Sequence, residues 1–295
     1  PDLITAPFAD EFKKLQDDVP PFPSDDAKKI IEEETHLPID KIFAKFHDKP
    51  TAAASIAQVH QGTLLDGSDV IIKVQRPDIR EQIETDINIL TTIAQLMDKH
   101  IPESRFFNPT GIVDEFSRTV RKELDFSEEA KNCLRFRKNF ENNPHIYIPR
   151  IHSSFSTEKI LTMERIEGVR IDDISGIEGM GIDRKELAKN GVDAYFKMVL
   201  EDGFFHADPH PGNIFAMSEG QIGFMDFGIV GRVTDEMKET MANTFLALIN
   251  KDFDRLIDQY IELGLVPEEA DLITFRKGFK SDLVYFLEPL YGLTL

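Results

Sequence analysis

The sequence has no tryptophan, one cysteine and no long uninterrupted run of apolar residues. A single cysteine excludes a disulfide framework and any zinc or iron–sulfur site built from several thiolates, and it fits a reducing compartment. Without about 18 consecutive apolar residues, no segment is expected to cross a membrane as a helix. Basic residues are also scarce: 34 Lys and Arg face 53 Asp and Glu, for a net charge of −19. Such an acidic chain repels phosphate backbones and anionic lipid, so no nucleic-acid partner is expected. There is no polybasic cluster to hold a membrane surface either. Internal repeats and low-complexity tracts are absent. The chain opens at Pro1 without Met or a signal peptide and stops at Leu295 without an evident terminus, so a fragment of something longer is expected.

What is present is the composition of a globular chain, with 41% hydrophobic and 29% charged residues. At 295 residues it can bury roughly 75% of its unfolded surface, enough for two lobes with sizeable cores. Residues 1–50 read as a polar helical extension broken by Pro20-Pro21-Phe22-Pro23, with Ser24 placed to cap a helix reaching Thr35. From Thr51 the texture turns strand-like. Ile56 to Leu65 and Val70 to Val74 read as a hairpin around Asp66-Gly67. Ile79, Ile83, Ile87, Leu90, Ile93 and Met97 then recur at helical spacing. A second helix is expected from Thr110, and a third capped by Ser127. Ile160 to Met163 reads as a short strand ending at Glu164, with a turn at Gly168. Helices are expected over Leu187–Glu201 and from Asp235 through Leu248 and Phe253 to Leu265, with a loop over His206–Ile214 and a strand over Gln221–Met225 between them. The expected division is a 1–50 extension, a strand-rich 51–165 lobe and a helix-rich 166–295 lobe.

The chemistry concentrates in Asp208-Pro209-His210-Pro211-Gly212-Asn213 and, 13 residues past the Asn, Asp226-Phe227-Gly228. Phosphoryl transfer with Mg²⁺ needs hard oxygen ligands and an acceptor group that orients the nucleophile. An Asp and an Asn five positions apart on a Pro/Gly loop supply the base and one metal ligand, and Asp226 supplies another. Alone, Asp-Phe-Gly is a strand ending in a turn; the ordered set is far more specific. Lys73, in Val-Ile-Ile-Lys-Val, is either an edge lysine reaching water or a phosphate anchor held by a carboxylate. Glu123, Asp125, Glu128 and Glu129 are the candidate carboxylates, and spacing does not choose among them. Ala52-Ala53-Ala54-Ser55 stands where a nucleotide-binding lobe carries glycines. Alanine restricts both close approach to phosphates and positive φ.

Together, Ala52–Ser55, Val-Ile-Ile-Lys73-Val-Gln-Arg-Pro, Glu123-Leu-Asp125, His206-Ala-Asp208 to Asn213 and Asp226-Phe-Gly resemble the UbiB/AarF family of atypical kinases. The likeness extends over essentially the whole chain, including Leu15-Gln-Asp-Asp-Val-Pro-Pro. It implies a bilobal, protein-kinase-like α+β fold with ATP and Mg²⁺ as cofactors. Lys73 would anchor phosphate with Glu129 as its ion-pair partner, and Ala52, Ala53, Ala54 and Ser55 would form an Ala-rich nucleotide loop. Asp208 would be the catalytic-loop aspartate, Asn213 and Asp226 metal ligands, and Glu164 a hinge residue meeting adenine. Glu123 and Asp125 match a Glu-x-Asp motif said to restrict substrate access together with a Lys-x-Gly-Gln motif. That second motif is absent here, as are the family's C-terminal hydrophobic helices. The resemblance implies a cytoplasmic enzyme, at a membrane face through segments outside this chain, acting on a lipid-related or phenolic acceptor in ubiquinone or isoprenoid-lipid metabolism.

Other readings fit less of the chain. A conventional protein kinase would carry an arginine in His206-Ala-Asp208 and an Ala-Pro-Glu segment after Gly228. A small-molecule phosphotransferase of the aminoglycoside or choline kinase type shares the His-x-Asp and the Asn five residues on, but not the alanine loop. A zinc hydrolase using His206, Asp208 and His210 leaves Lys73 and Asp226 without a role. A pseudokinase that binds nucleotide without turnover fits the same ligand set, with the alanine loop allowing tight binding and slow chemistry.

Overall fold

Val70, Ile72 and Val74 alternate with Ile71 and Lys73, and in a strand that alternation sends the first three to one face and the lysine to the other. The computed structural model of the chain, which describes residues 19–101, 107–262 and 271–279, places them so. In chain order the elements are α1 (Ser24–Thr35), the one-turn α2 (Ile39–Ile42), β1 (Phe43–Phe46), β2 (Ala52–Ala53), β3 (Ala57–Leu64), β4 (Asp69–Gln75), α3 (Ile79–His100), α4 (Pro109–Glu123) and α5 (Phe126–Asn139). There follow β5 (Ile146–Tyr147), β6 (Ile160–Glu164), β7 (Gly168–Arg170), α6 (Ile174–Gly179), α7 (Arg184–Phe196) and β8 (Phe204–His206). The last are β9 (Ile214–Met217), β10 (Ile222–Phe224), β11 (Val230–Arg232), α8 (Asp235–Ile249) and α9 (Phe253–Glu262). The class is α+β. Of the described residues, those up to Val192 with Ala207–Val230 form one compact unit, and Asp193–His206 with those from Gly231 onward form another.

In the first unit, an antiparallel sheet runs β1-β3-β4-β6, with β2 added to β3. Val70, Ile72 and Val74 meet Ile31 and Ala27 of α1, together with Ile42, Phe43, Leu64 and Ile160. Each large side chain buried this way contributes about 1.5–3 kcal/mol. The β3–β4 hairpin closes over Asp66-Gly67, where Gly67 takes φ +87° and Asp66 Oδ1 accepts from Ser68 N–H at 2.9 Å. A second sheet runs β5-β10-β9-β7.

Several expectations shift for local physical reasons. Ser24 is the first helical residue rather than the cap: the Pro23 carbonyl accepts from Asp26 and Ala27, while Ser24 Oγ donates to Asp48. Phe43–Phe46, within the stretch read as helical, is a strand, because Phe43 reaches the sheet core and pairs with Leu64. Gly168 opens a strand rather than a turn. A Cβ there would lie 2.6 Å from the Ala216 carbonyl, so the glycine answers close strand approach. In the second unit, α7 passes into a π-helical turn over Lys197–Glu201, and the helix expected from Asp235 breaks at Lys251, whose φ is +57°. Leu265 and residues 15–18 of the N-terminal motif lie outside the described residues. Among the described residues no helix is long and apolar enough to cross a membrane.

Gln58 and His60 are fully buried on one face of β3. His60 Nδ1 lies 2.9 Å from the His47 carbonyl, which only accepts, so Nδ1 carries the proton and Nε2 accepts from Gln58 Nε2 at 2.8 Å. Burial, outweighing nearby Asp48, holds the imidazole below its usual pKa. Below the unfolded value of about 6.5, the unfolded chain takes up a proton that the native chain refuses. Stability is therefore full above that pH and falls below it, by up to about 1.4 kcal/mol per pH unit. Denaturant midpoints between pH 7 and pH 5 should fall less steeply in His60→Gln than in the wild type. Equal slopes would refute the assignment.

Candidate active site

Phe126, Glu129, Cys133 and Phe136 recur at helical spacing on α5, and all four are buried. A glutamate in an apolar stripe is costly unless paired. Its partner comes from the sheet: Lys73 Nζ, on the β4 face away from the core, lies 2.8 Å from Glu129 Oε2. The two side chains are 21% and 4% exposed. Asp226 Oδ2 stands 3.7 Å from the same ammonium, and the Phe126 ring lies 5.0 Å away as a cation–π neighbour. Burial alone would lower the Lys73 pKa; the Glu129 and Asp226 charges outweigh it and hold the ammonium above its usual range. Burial pushes the Glu129 carboxyl up, against the pull of Lys73 and the Phe227 backbone. Of the other carboxylates weighed for this pairing, Glu128 binds Lys131 at 2.6 Å and Asp125 caps α5.

A hairpin joins the Asp208–Asn213 loop to Asp226, the residue that faces this lysine. Ile214 pairs with Phe224 in the β9–β10 ladder, so Asn213 and Met225 flank adjacent strand ends, and Met225 N–H donates to the Asn213 carbonyl at 2.8 Å. The next residue, Asp226, takes φ +55°, a left-handed conformation that Asp tolerates better than most residues. The reversal sends Phe227 into the core against Phe136, with ring centroids 5.1 Å apart, and leaves the Asp226 carboxylate toward Lys73. Asn213 Nδ2 donates to both the carbonyl and Oδ2 of Asp208, each at 3.2 Å. With Nδ2 so engaged, Oδ1 is the Asn213 atom suited to a cation. The donor set of Asp226 carboxylate and Asn213 amide oxygen is hard and oxygen-only, as Mg²⁺ requires. His210 instead closes its own turn, its Nδ1 accepting from Gly212 N–H at 3.1 Å.

A lysine–glutamate pair beside an Asp/Asn loop and a second Asp is the arrangement of kinase-like folds. The ABC1 atypical kinase-like domain matches residues 14–260. The chain belongs to this family, the UbiB/AarF atypical kinases. It is 40% identical over 300 residues to the probable protein kinase UbiB of Vibrio cholerae, covering 100% of this chain and 54% of the relative. The Marinobacter nauticus protein of the same name is 38% identical over 294 residues, covering 98% and 53%. The chain thus spans about half the length of the curated relatives it matches. Among solved structures, Mycobacterium tuberculosis Rv3197 in complex with erythromycin aligns with a TM-score of 0.70 and 26% identity, over 92% of this chain and 67% of that one.

The remaining positions of this UbiB-family domain fall around the cluster unevenly. Ala52 and Ala53 form β2, and Ala54 N–H donates to Ala57 O at 2.8 Å, so the Ala-rich loop up to Ser55 is the tip of a β2–β3 hairpin. Glu123 ends α4, where burial raises its pKa and the charges of Lys73 and Asp226 act on it in opposite senses. Asp125 does not join the cluster. It caps α5, its Oδ1 accepting from Ser127 N–H at 2.9 Å, so the cap expected of Ser127 lies two residues earlier. Glu164 ends β6 with its carboxylate taken by Tyr147 Oη at 2.7 Å and Arg150 N–H at 3.0 Å. Burial and that carboxylate push the Tyr147 phenol up to about 12.

Sequence reading missed Asn132, whose Nδ2 donates to the Phe227 carbonyl at 3.0 Å and pins the segment after Asp226 to α5. Its signal was available: it lies three residues past Glu129, on the same helical face. Tyr147 carried no comparable signal, since it meets Glu164 only across the fold.

Proposed function

We propose that this cluster binds Mg·ATP and either hydrolyses it or transfers its γ-phosphoryl group to a small lipid-related or phenolic acceptor, in support of ubiquinone or related isoprenoid-lipid metabolism. The observation that carries the reading is Lys73, held by buried Glu129 and facing Asp226. Lys73 would neutralise phosphate oxygens, its rotamer set by Glu129. Asp226 and Asn213 would hold Mg²⁺, which would supply positive charge to offset that of the phosphates. Asp208, steadied by Asn213 Nδ2, would accept the acceptor hydroxyl's proton as its oxygen bonds to the γ-phosphorus and the bond to ADP breaks. The ubiquinone assignment draws on the name UbiB carried by the relatives. In this reading, membrane contact comes from chain outside these residues, since a net charge of −19 offers anionic lipid nothing.

A second reading, nucleotide binding without turnover, is favoured by the alanine loop. Ala52 and Ala53 are paired in β2, and alanine resists the positive φ with which glycine loops wrap phosphates.

Thermal unfolding with ATP or ADP, with and without Mg²⁺, tests both readings when formation of ADP from ATP is followed in parallel. At about 100 times its Kd a ligand adds about 2.7 kcal/mol, or roughly 5 °C in Tm. A Mg²⁺-dependent shift with ADP formed from ATP, by hydrolysis or on addition of a phenolic acceptor, is the expected result. A shift with no ADP formed, even with phenolic acceptors added, selects the second reading. No shift with any nucleotide, or one with Zn²⁺ alone, overturns both.

A further inference from the structure

Arg76 stands at the end of β4, outside the ion cluster, yet its side chain joins two segments far apart in sequence. Its Nε–H donates to the Ala54 carbonyl at 2.9 Å, and its Nη2–H donates to the Pro20 carbonyl at 2.9 Å. The guanidinium lies 5.7 Å from the centroid of the Phe22 ring. Its own N–H donates to Ile56 O at 2.9 Å, which fixes the stem beside the tip of the β2–β3 hairpin. Buried Gln58 grips the same upstream segment from the other side. Its Oε1 accepts from Phe22 N–H at 3.1 Å, its Nε2 donates to Phe22 O at 3.3 Å, and Gln58 is the ladder partner of Ala53. Pro20–Phe22 is thus tied at one end, through Arg76, to Ala54 and at the other to β3, the strand paired with Ala53. Pro20, Pro21 and Pro23 hold φ near −65°, so the segment is stiff and passes a displacement on rather than absorbing it.

The tied loop is close to the cluster. Ala52 pairs with Val59, and Val59 with Lys73, so the loop strand is two strands from the lysine in one register row, about 10 Å away. We propose that Arg76 is a positioning residue that couples the Pro20–Phe22 strut to the Ala-rich loop, so that movement of the chain at Pro20 changes how the loop sits over bound nucleotide. This rests on the reading of the cluster as a Mg·nucleotide site. Arginine suits the position because one rigid planar fork serves two carbonyls with a ring as cation–π neighbour; a lysine ammonium offers its donors from a single point on a flexible stem.

The test compares the chain with its Arg76→Lys, Phe22→Ala and double variants. Amide exchange over residues 52–57 is read without nucleotide, and the Kd for Mg·ADP is read by calorimetry. Arg76→Lys should speed exchange at Ala54 and change the Kd, each by about tenfold, the worth of one lost charge-assisted hydrogen bond. Phe22→Ala should act in the same direction, and the double variant should go no further than Arg76→Lys alone. Protection of Val70–Val74 should stay at its wild-type level, which separates loosening of the loop from unfolding. If Phe22→Ala does not fold, Pro21→Gly takes its place, softening the strut while keeping Arg76 and Phe22. Unchanged loop exchange in Arg76→Lys, or effects that multiply in the double variant, overturn the proposal. A wild-type chain that binds no Mg·nucleotide overturns the functional reading instead, and the exchange data then decide the coupling on their own.

Discussion

Asp226→Asn should remove the Mg²⁺-dependent part of ATP stabilisation while the chain remains folded. Asp226 is the carboxylate nearest Lys73 after Glu129, at 3.7 Å, and it sits one residue past the backbone bond that joins Met225 to Asn213. Its loss takes away the anionic oxygen a hard cation binds most strongly, whereas the amide keeps the volume. Asparagine is the variant of choice because position 226 takes φ +55°, which Asn tolerates as well as Asp and alanine does not. The expected loss is most of the ~2.7 kcal/mol that saturating Mg·ATP adds to the wild type. Melting curves with ATP, with and without Mg²⁺, read it directly. A variant with a wild-type Mg·ATP shift would show that Asp226 is not a metal ligand.

Lys73→Met should cost about 3–5 kcal/mol of stability near neutral pH, because it leaves the Glu129 carboxylate buried, 4% exposed and without its ammonium. The sign with pH follows from burial. With Lys73 gone, desolvation raises the Glu129 pKa unopposed by that charge, so the native variant holds a proton that the unfolded chain releases above about 4.3. The defect should therefore be small at pH 5 and grow toward pH 8. The double variant Lys73→Met with Glu129→Leu should regain most of the loss, since two apolar groups of similar volume remove the stranded charge. Urea unfolding at the two pH values checks all three chains. A Lys73→Met chain as stable as the wild type at pH 8 would mean that the 2.8 Å contact holds nothing together. Neither Lys73 variant should bind Mg·ATP.

Much of this was legible in the residues alone. The β3–β4 hairpin follows from alternation around Asp66-Gly67, and α3 from six apolar residues at helical spacing, because both signals are local and periodic. The order of Lys73, Asp208, Asn213 and Asp226 pointed to phosphoryl chemistry through spacing within short loops. Which carboxylate meets Lys73 was not legible. Glu129 lies 56 residues away, and its face is set by how Phe126, Cys133 and Phe136 pack in the core, a phase that no local pattern records. Asp125 and Ser127 are equally good caps by composition, and the chain path at Leu124 chose the aspartate. Gly168 reads as a turn until the Ala216 carbonyl is seen beside it. The partners of Arg76 come from Pro20, Phe22 and Ala54, which no local pattern joins to its guanidinium. Local order in the chain names the groups and their chemistry. Long-range packing alone settles which of them touch, because a burial free energy depends on neighbours that lie dozens of residues apart.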